Sequence, residues 1–160
     1  MAVAIDQQAP DFELVGSAPM AVKMSDYKGK KNVILTFYEV AFNFEDVDQI
    51  EAFRDLEPEF DTLDAQIVAI SLDPTGVCVA FSQTSNIDFP LLSDHMDHAV
   101  CTNYDAWRTD RGYASVEGGI AKRVTYVIDK NGMIRGKVNE DVPAAKQAPE
   151  ALKLAKSILK

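Results

Sequence analysis

Two nearly continuous apolar runs in the first half of the chain predict buried strands. They are NVILTFY (32–38) and QIVAISL (66–72), and both are rich in β-branched residues. Such runs are typical of strands covered on both faces in a parallel sheet. Between them, residues 46–63 carry apolar side chains at helical spacing, which predicts a helix. The three segments together predict a βαβ unit with a right-handed crossover.

The rest of the chain predicts two more helices and two hairpins. Residues 74–86 open with Pro-Thr and continue as a helical pattern. Residues 124–138 consist of two apolar runs around an Asn-Gly pair, a strong signal for a β-hairpin. The segment 148–160 has one apolar stripe with lysines elsewhere, which predicts a closing amphipathic helix. Residues 12–15 and 20–24 flank a proline and predict a short edge hairpin.

This order of elements predicts an α/β protein of the thioredoxin-like class, with a central mixed β-sheet flanked by helices. The length of 160 residues suits a single domain, which we expect to span residues 1–160. Apolar residues make up 47% of the chain and charged residues 26%, as in ordinary soluble globular proteins.

The charge balance and the termini narrow the expected partners and location. Twenty-five acidic against 16 basic residues give a net charge of −9, which argues against binding to nucleic acid or anionic membranes. No window approaches the roughly eighteen apolar residues of a membrane span. The N-terminal segment lacks the pattern of a secretory signal, and two cysteines make no disulfide framework. We therefore expect a cytoplasmic protein.

Several stretches in order along the chain resemble one protein family. They are APDFEL (9–14), SDYKGKKNVILTFYEVAF (25–42), AISLD (69–73), FPLLSD (89–94) and GGIAKRVTYVIDKNGMIR (118–135). Together they resemble the peroxiredoxins, the AhpC/TSA family, and most closely the alkyl hydroperoxide reductase E type and its bacterioferritin-comigratory relatives. The resemblance covers nearly the whole chain and implies the thioredoxin-like fold of peroxiredoxins. It also implies a homodimer, a thioredoxin-like or peroxiredoxin protein as a partner, and no cofactor.

The resemblance also implies a location for the active site. In the family, a Pro-x-x-x-Thr-x-x-Cys motif enters a helix, and an arginine from a later strand helps to stabilise the cysteine thiolate. The thiolate attacks the peroxide O–O bond and becomes a sulfenic acid, which another thiol reduces. On this sequence, the proline position is Glu39, the threonine position Asn43 and the cysteine position Asp46. Only the arginine is retained, as Arg123.

The substitution at position 46 changes the expected chemistry. A carboxylate is a feeble nucleophile toward peroxide oxygen and has no sulfenic state, so Asp46 is not expected to replace a thiolate. Glu39 adds a second acid where the family has a neutral ring. We therefore expect a peroxiredoxin-like protein without ordinary peroxidase activity, which keeps the pocket for binding, regulation or partner association. We also expect Asp46 in the first turn of its helix and Arg123 on a strand, with the two side chains in contact.

Two other interpretations of the acidic residues remain open at this stage. In the first, Asn43 or Asp46 caps the helix and neutralises the arginine. In the second, Glu39, Glu45, Asp46 and Asp48 bind a hard cation through carboxylate oxygens.

The histidines and cysteines offer further candidate chemistry. His95 and His98 in DHMDH could bind a transition metal, but we favour solvated side chains as the interpretation. Cys78 falls near the start of the second long helix, and Cys101 lies on a predicted short helix. Each is either a small buried hydrophobic residue or a reactive thiol. The alternative function is therefore a divergent thiol-dependent antioxidant oxidoreductase (a peroxidase) that works through Cys78, Cys101 or a disulfide between them.

The segment AWRTDRGYASVEGG (106–119) is longer than the resemblance leads us to expect. Trp107, Arg108, Arg111 and Tyr113 make it aromatic and basic within an acidic protein. It is either a loop that covers the pocket or meets a partner, or an ordinary surface excursion.

Overall fold

A computed structural model describes residues 3–110 and 118–159 of the chain. No helix within these ranges is both long enough and apolar enough to cross a membrane. Its elements, in chain order, are β1 (Glu13–Leu14), β2 (Val22–Lys23), a 3-10 turn (Met24–Tyr27), β3 (Asn32–Phe37), α1 (Phe44–Asp61), β4 (Ala65–Ser71), α2 (Thr75–Thr84), β5 (Leu91–Ser93), α3 (Ala99–Asn103), β6 (Trp107–Arg108), β7 (Ile120–Ala121), β8 (Thr125–Ile128), β9 (Ile134–Val138) and α4 (Ala144–Ile158).

The central sheet is mixed and has five strands in the order β5-β4-β3-β8-β9. Strands β5, β4 and β3 are parallel, and the continuous apolar sequences of β3 and β4 predicted this arrangement for those two. Strand β8 runs antiparallel to β3 and β9 antiparallel to β8, so the predicted hairpin forms one side of the sheet. Gly132 in its turn has a φ of +77°, a backbone conformation that glycine adopts without a steric penalty. The predicted mixed sheet and the edge hairpin, β1 with β2, are confirmed.

The sheet has a hydrophobic core on each face. Because side chains alternate along a strand, Ile34 and Val33 on β3 belong to different cores. The first core contains residues of α1, α2 and α4, including Phe53 and Phe81. The second core lies under α3 and the N-terminal segment and includes Tyr104. Both faces are therefore covered; β3 is buried along its whole length and β4 along nearly all of it.

The observed ends of the helices differ from the predicted ends by a few residues. Helix α1 begins at Phe44, before the first apolar position of its stripe. The largest difference is in α4, which begins at Ala144 and contains Pro149 in its second turn. The sequence pattern placed the start near this proline, because proline favours the first turn of a helix and usually interrupts the interior. Here Pro143 occupies the N-cap position instead.

The N-terminal segment runs along both edges of the central sheet. At one edge, the Ile134 amide donates to the Gln7 carbonyl at 2.9 Å, beside the start of β9. At the other edge, Gly16 pairs with β5, and the Ser93 amide donates to the Val15 carbonyl at 2.9 Å. A Cβ atom at Gly16 would lie only 1.9 Å from the Leu91 carbonyl oxygen. This close approach therefore requires glycine.

Candidate active site

The candidate site lies at the start of α1, directly after the central strand β3. The connecting loop contains Phe42 with a φ of +69°, in the left-handed region that bulky residues rarely adopt. Asn43 occupies the N-cap position, but its side chain makes no capping hydrogen bond within the described part of the chain. The interpretation of Asn43 as a side-chain cap is therefore wrong. Asp46 is the third residue of the helix, so it lies in the first turn as predicted.

Asp46 forms a buried ion pair with Arg123. Its Oδ1 atom accepts hydrogen bonds from Arg123 Nη1 at 2.8 Å and from the Glu39 backbone amide at 2.9 Å. Asp46 is fully buried and Arg123 is nearly so. The predicted contact between the two side chains is confirmed. Arg123 itself lies in the connection between β7 and β8 rather than on a strand, because the ladder with β3 begins only at Thr125.

Two further carboxylates face the same guanidinium. Arg123 Nη2 lies 3.6 Å from Glu39 Oε1 and 3.5 Å from Glu45 Oε2. Glu39 is buried, whereas the Glu45 side chain is 79% exposed, so solvent weakens the second contact. Asp46 Oδ2 is buried and has no hydrogen-bond partner among the described residues. Burial therefore raises the pKa of Asp46, and Arg123 together with the amides of Glu39 and Val40 offsets part of that rise.

A chain of buried polar side chains leads from the ion pair into the core. Arg123 Nη1 also donates to Gln49 Oε1, and the Gln49 amide donates to Thr36 Oγ1 at 2.8 Å. The Thr36 and Thr125 hydroxyls are 2.8 Å apart, and Thr125 donates to Gln147 Oε1 at 2.8 Å. Because the Thr125 hydroxyl donates its one hydrogen bond to Gln147, the Thr36 hydroxyl must donate to Thr125. Every hydrogen bond in the chain therefore has a consistent direction.

The far end of this chain fixes the loop before α4. The Gln147 amide donates to the carbonyls of Asn139 at 2.9 Å and Val142 at 3.0 Å. Our sequence-based interpretation missed Gln49 and Gln147, although a threonine inside the apolar run of β3 could have indicated a buried polar partner. The network connects Asp46 and Arg123 to a loop that borders the cavity beside them.

A cavity of about 350 Å³ opens beside the ion pair. Its charged lining is acidic overall, with four carboxylates against two guanidinium groups; the lining residues are Glu39, Glu45, Asp48, Glu140, Arg108 and Arg123, with residues 142–145 as the apolar wall.

Arg108 brings the unusual 106–119 segment to this cavity. Its Nη1 atom lies 2.7 Å from Glu140 Oε2, and its Nε atom lies 2.6 Å from Asp110 Oδ1. Arg111 and Tyr113, which the sequence also singled out, lie outside the described residues. The described part of the segment therefore contributes a wall of the cavity.

The candidate metal ligands do not assemble in the described structure. No three His, Cys, Asp or Glu side chains in residues 3–110 and 118–159 come together as a metal-binding group. The acids at the start of α1 surround a guanidinium instead. His95 Nδ1 lies 3.0 Å from the Leu72 carbonyl, and His98 Nδ1 lies 3.0 Å from Thr102 Oγ1. The His98 ring also stacks on Trp107, with 3.9 Å between the ring centroids.

The two cysteines are free thiols on opposite faces of the sheet. Cys78 belongs to the core of α1, α2 and α4, whereas Cys101 belongs to the core under α3. The hypothesis of a disulfide between them is therefore wrong. Burial, reinforced by the nearby Asp73 carboxylate, raises the pKa of Cys78 to about 11. Burial likewise raises the pKa of Cys101 well above its usual value, and the Asp94 carboxylate adds to the rise.

Comparisons with known proteins agree with this architecture. The AhpC/TSA family pattern matches residues 5–137. The chain is 37% identical over 128 residues to alkyl hydroperoxide reductase E of Mycobacterium tuberculosis, covering 79% of both chains. It is 35% identical over 134 residues to peroxiredoxin Bcp of Bacillus subtilis, covering 84% of this chain and 83% of the relative.

A solved structure gives the same result for the fold. The crystal structure of peroxidoxin BcpB from Mycobacterium tuberculosis superimposes with a TM-score of 0.86, covers 98% of both chains and is 27% identical. The resemblance to peroxiredoxins and the thioredoxin-like fold are thus confirmed. On these grounds the chain belongs to the AhpC/TSA family.

Proposed function

We propose that this chain is a peroxiredoxin-family protein that does not reduce peroxides at its helix-start site and instead uses that region to bind a partner. The observation that carries the proposal is the buried Asp46–Arg123 pair, with 2.8 Å between Oδ1 and Nη1. We assign Asp46 to the position of the family's reactive cysteine. A carboxylate there cannot pass through the sulfenic state on which thiol peroxidases depend.

The groups that would stabilise a thiolate already donate hydrogen bonds to the Asp46 carboxylate. Arg123 Nη1 and the Glu39 amide both donate to Asp46 Oδ1. Glu39 also places a second carboxylate within 3.6 Å of the guanidinium. An incoming peroxide would therefore meet a neutralised arginine and additional negative charge, which disfavours a developing oxyanion. The arrangement supports charge-based recognition better than catalysis.

The alternative of a thiol-dependent peroxidase has less support. Cys78 and Cys101 are both fully buried, so neither presents its sulfur to a dissolved peroxide. Burial raises the pKa of both thiols, which leaves almost no thiolate near neutral pH. A peroxidase acting through either cysteine would need the surrounding core to open.

The expected cellular setting belongs to the same proposal. We propose a cytoplasmic homodimer that works with a thioredoxin-like or peroxiredoxin protein. Two reduced cysteines in the cores suit a reducing compartment, and the homodimer follows the family resemblance.

Stopped-flow measurements with hydrogen peroxide and an alkyl hydroperoxide test the loss of peroxidase activity. The wild type and a Cys78→Ser/Cys101→Ser variant should consume peroxide equally slowly, and mass spectrometry should find no sulfenic acid in the wild type. Rapid consumption that disappears in the variant would refute the proposal and make a cysteine the catalyst. Rapid consumption that survives in the variant would equally refute it, because a group other than a thiol would then react.

A further inference from the structure

The polar side chains that lead away from Arg123 form a network inside the core that α1 and α4 cover. Its members are Gln49, Thr36, Thr125 and Gln147, and all four side chains are fully buried. Thr36 on β3 and Thr125 on β8 are paired directly across the sheet, so their side chains lie on the same face. Gln49 reaches this pair from α1, and Gln147 reaches it from α4.

Packing alone does not account for a polar network at this place. Apolar side chains of similar volume would fill the same space and would not have to give up hydrogen bonds to water. The network also has a fixed direction, because it starts at the Arg123 guanidinium, which can only donate, and ends at two carbonyls, which can only accept. A network with these two ends ties the position of Arg123 to the position of the loop 139–143.

The loop 139–143 forms part of the walls of two cavities. Glu140 and Val142 line the acidic cavity beside the ion pair. Asn139 and Val142 also line a second cavity of about 330 Å³, between β9 and α4. The carbonyls of Asn139 and Val142 are the two that accept hydrogen bonds from Gln147. A shift of Gln147 would therefore change the shape of both cavities.

We infer that the network transmits the state of the Asp46–Arg123 pair to the loop 139–143. Asp46 holds Arg123 at 2.8 Å, and Arg123 in turn donates to Gln49. A partner that draws Arg123 away from Asp46 would deprive Gln49 of its donor. The loop would then be held less tightly, because residues in one hydrogen-bond network are energetically coupled. The inference names the regulation of the proposed binding region, and to that extent it rests on the proposed function.

Amide hydrogen exchange followed by NMR tests the inference. The reporter is the Val142 amide, which donates to the Asn139 carbonyl at 3.1 Å inside the loop. Arg123→Met should raise its exchange rate by about threefold or more, since local opening sets the exchange rate of a loop amide. Thr36→Val interrupts the network midway with a side chain of nearly the same shape, and it should raise the rate as well. Thr36→Ser keeps the hydroxyl and should behave as the wild type.

A double variant and a second amide separate coupling from other effects. Arg123→Met combined with Thr36→Val should raise the Val142 rate no further than the larger single change does, because both interrupt the same network. The Asp64 amide donates to the Asp61 carbonyl at 3.0 Å in the turn between α1 and β4. Its exchange rate should stay unchanged in all the variants.

Four results would overturn the inference. An unchanged Val142 rate in Arg123→Met would mean that the loop is held independently of the ion pair. An effect of Arg123→Met without one of Thr36→Val would mean that Arg123 acts on the loop directly across the cavity. Additive effects of the two changes would show two independent causes, and an equal rise at Asp64 would show general destabilisation. None of these results bears on peroxide consumption, so the loss of peroxidase activity stands or fails separately.

Discussion

Asp46 and Arg123 are 77 residues apart in the chain, yet Arg123 Nη1 donates to Asp46 Oδ1 at 2.8 Å in a buried environment. Both charged groups are buried, and each compensates the charge of the other there. Removing one partner leaves the other uncompensated, which costs more than the pair contributes when it is intact.

Arg123→Met should lower the free energy of unfolding by about 3–5 kcal/mol, because it leaves buried carboxylates without their guanidinium. Asp46→Asn should cost less, since the amide oxygen can still accept from Glu39. Urea unfolding measures both values. As a control, Lys31→Met removes an ion pair to Asp64 that is exposed on both sides and should change stability little. A negligible effect of Arg123→Met would show that the pair is not important for the fold.

Stability should also depend on pH through Asp46. Because burial raises its pKa above the ordinary 3.8, the folded state binds more protons than the unfolded state between 3.8 and the raised value. The contribution of Asp46 to the free energy of unfolding should therefore decrease as the pH rises through this window. Urea unfolding at several pH values gives the free energy of unfolding of the wild type and of Asp46→Asn. The difference between the two isolates the contribution of Asp46, because Asp73 and Asp94 titrate in both proteins. A difference that is constant or grows with pH would contradict the expectation.

Glu39 should matter through its backbone as well as its charge. Its N–H donates to Asp46 Oδ1 at 2.9 Å, and a proline at this position, as in the family motif, has no N–H. Glu39→Pro should therefore destabilise the wild type by about 1–3 kcal/mol more than Glu39→Gln, which keeps the donor. Thermal or urea unfolding of the two variants provides the comparison. Equal stabilities would mean that the amide contributes nothing to holding the carboxylate.

Restoring a thiol tests whether the pocket still suits peroxidase chemistry. Asp46→Cys alone should give a thiol of lowered pKa, because Arg123 and the helix start favour its anion, but only weak peroxidase activity. Glu39→Pro and Asn43→Thr added to Asp46→Cys should give much more activity than the single change, as expected of groups that act as one unit. Iodoacetamide alkylation rates across pH give the thiol pKa. A folded triple variant whose thiol titrates near about 8.5 would show that Arg123 does not act on position 46.

The sequence predicted the helices and strands well where the spacing of apolar residues fits only one type of element. The strands around Ile34 and Ile67 are mostly apolar, so their burial in the fold agrees with the local sequence pattern. The meeting of Asp46 and Arg123 came from the resemblance, because spacing along a chain does not show which distant side chains touch. The Gln49–Thr36–Thr125–Gln147 network was missed for a physical reason: each member looks like a polar interruption of an apolar stripe until the four elements are packed together.

The N-terminal segment has a consequence for aggregation. Outer strands of a sheet offer unpaired amides and carbonyls to any strand of another molecule. Here one short segment occupies part of both borders, near Gln7 beside β9 and near Gly16 beside β5. Proteolysis before β1 would expose the border at β9, and loss of the segment through Gly16 would expose both at once. By covering these edges, the segment protects the sheet from pairing with strands of other molecules.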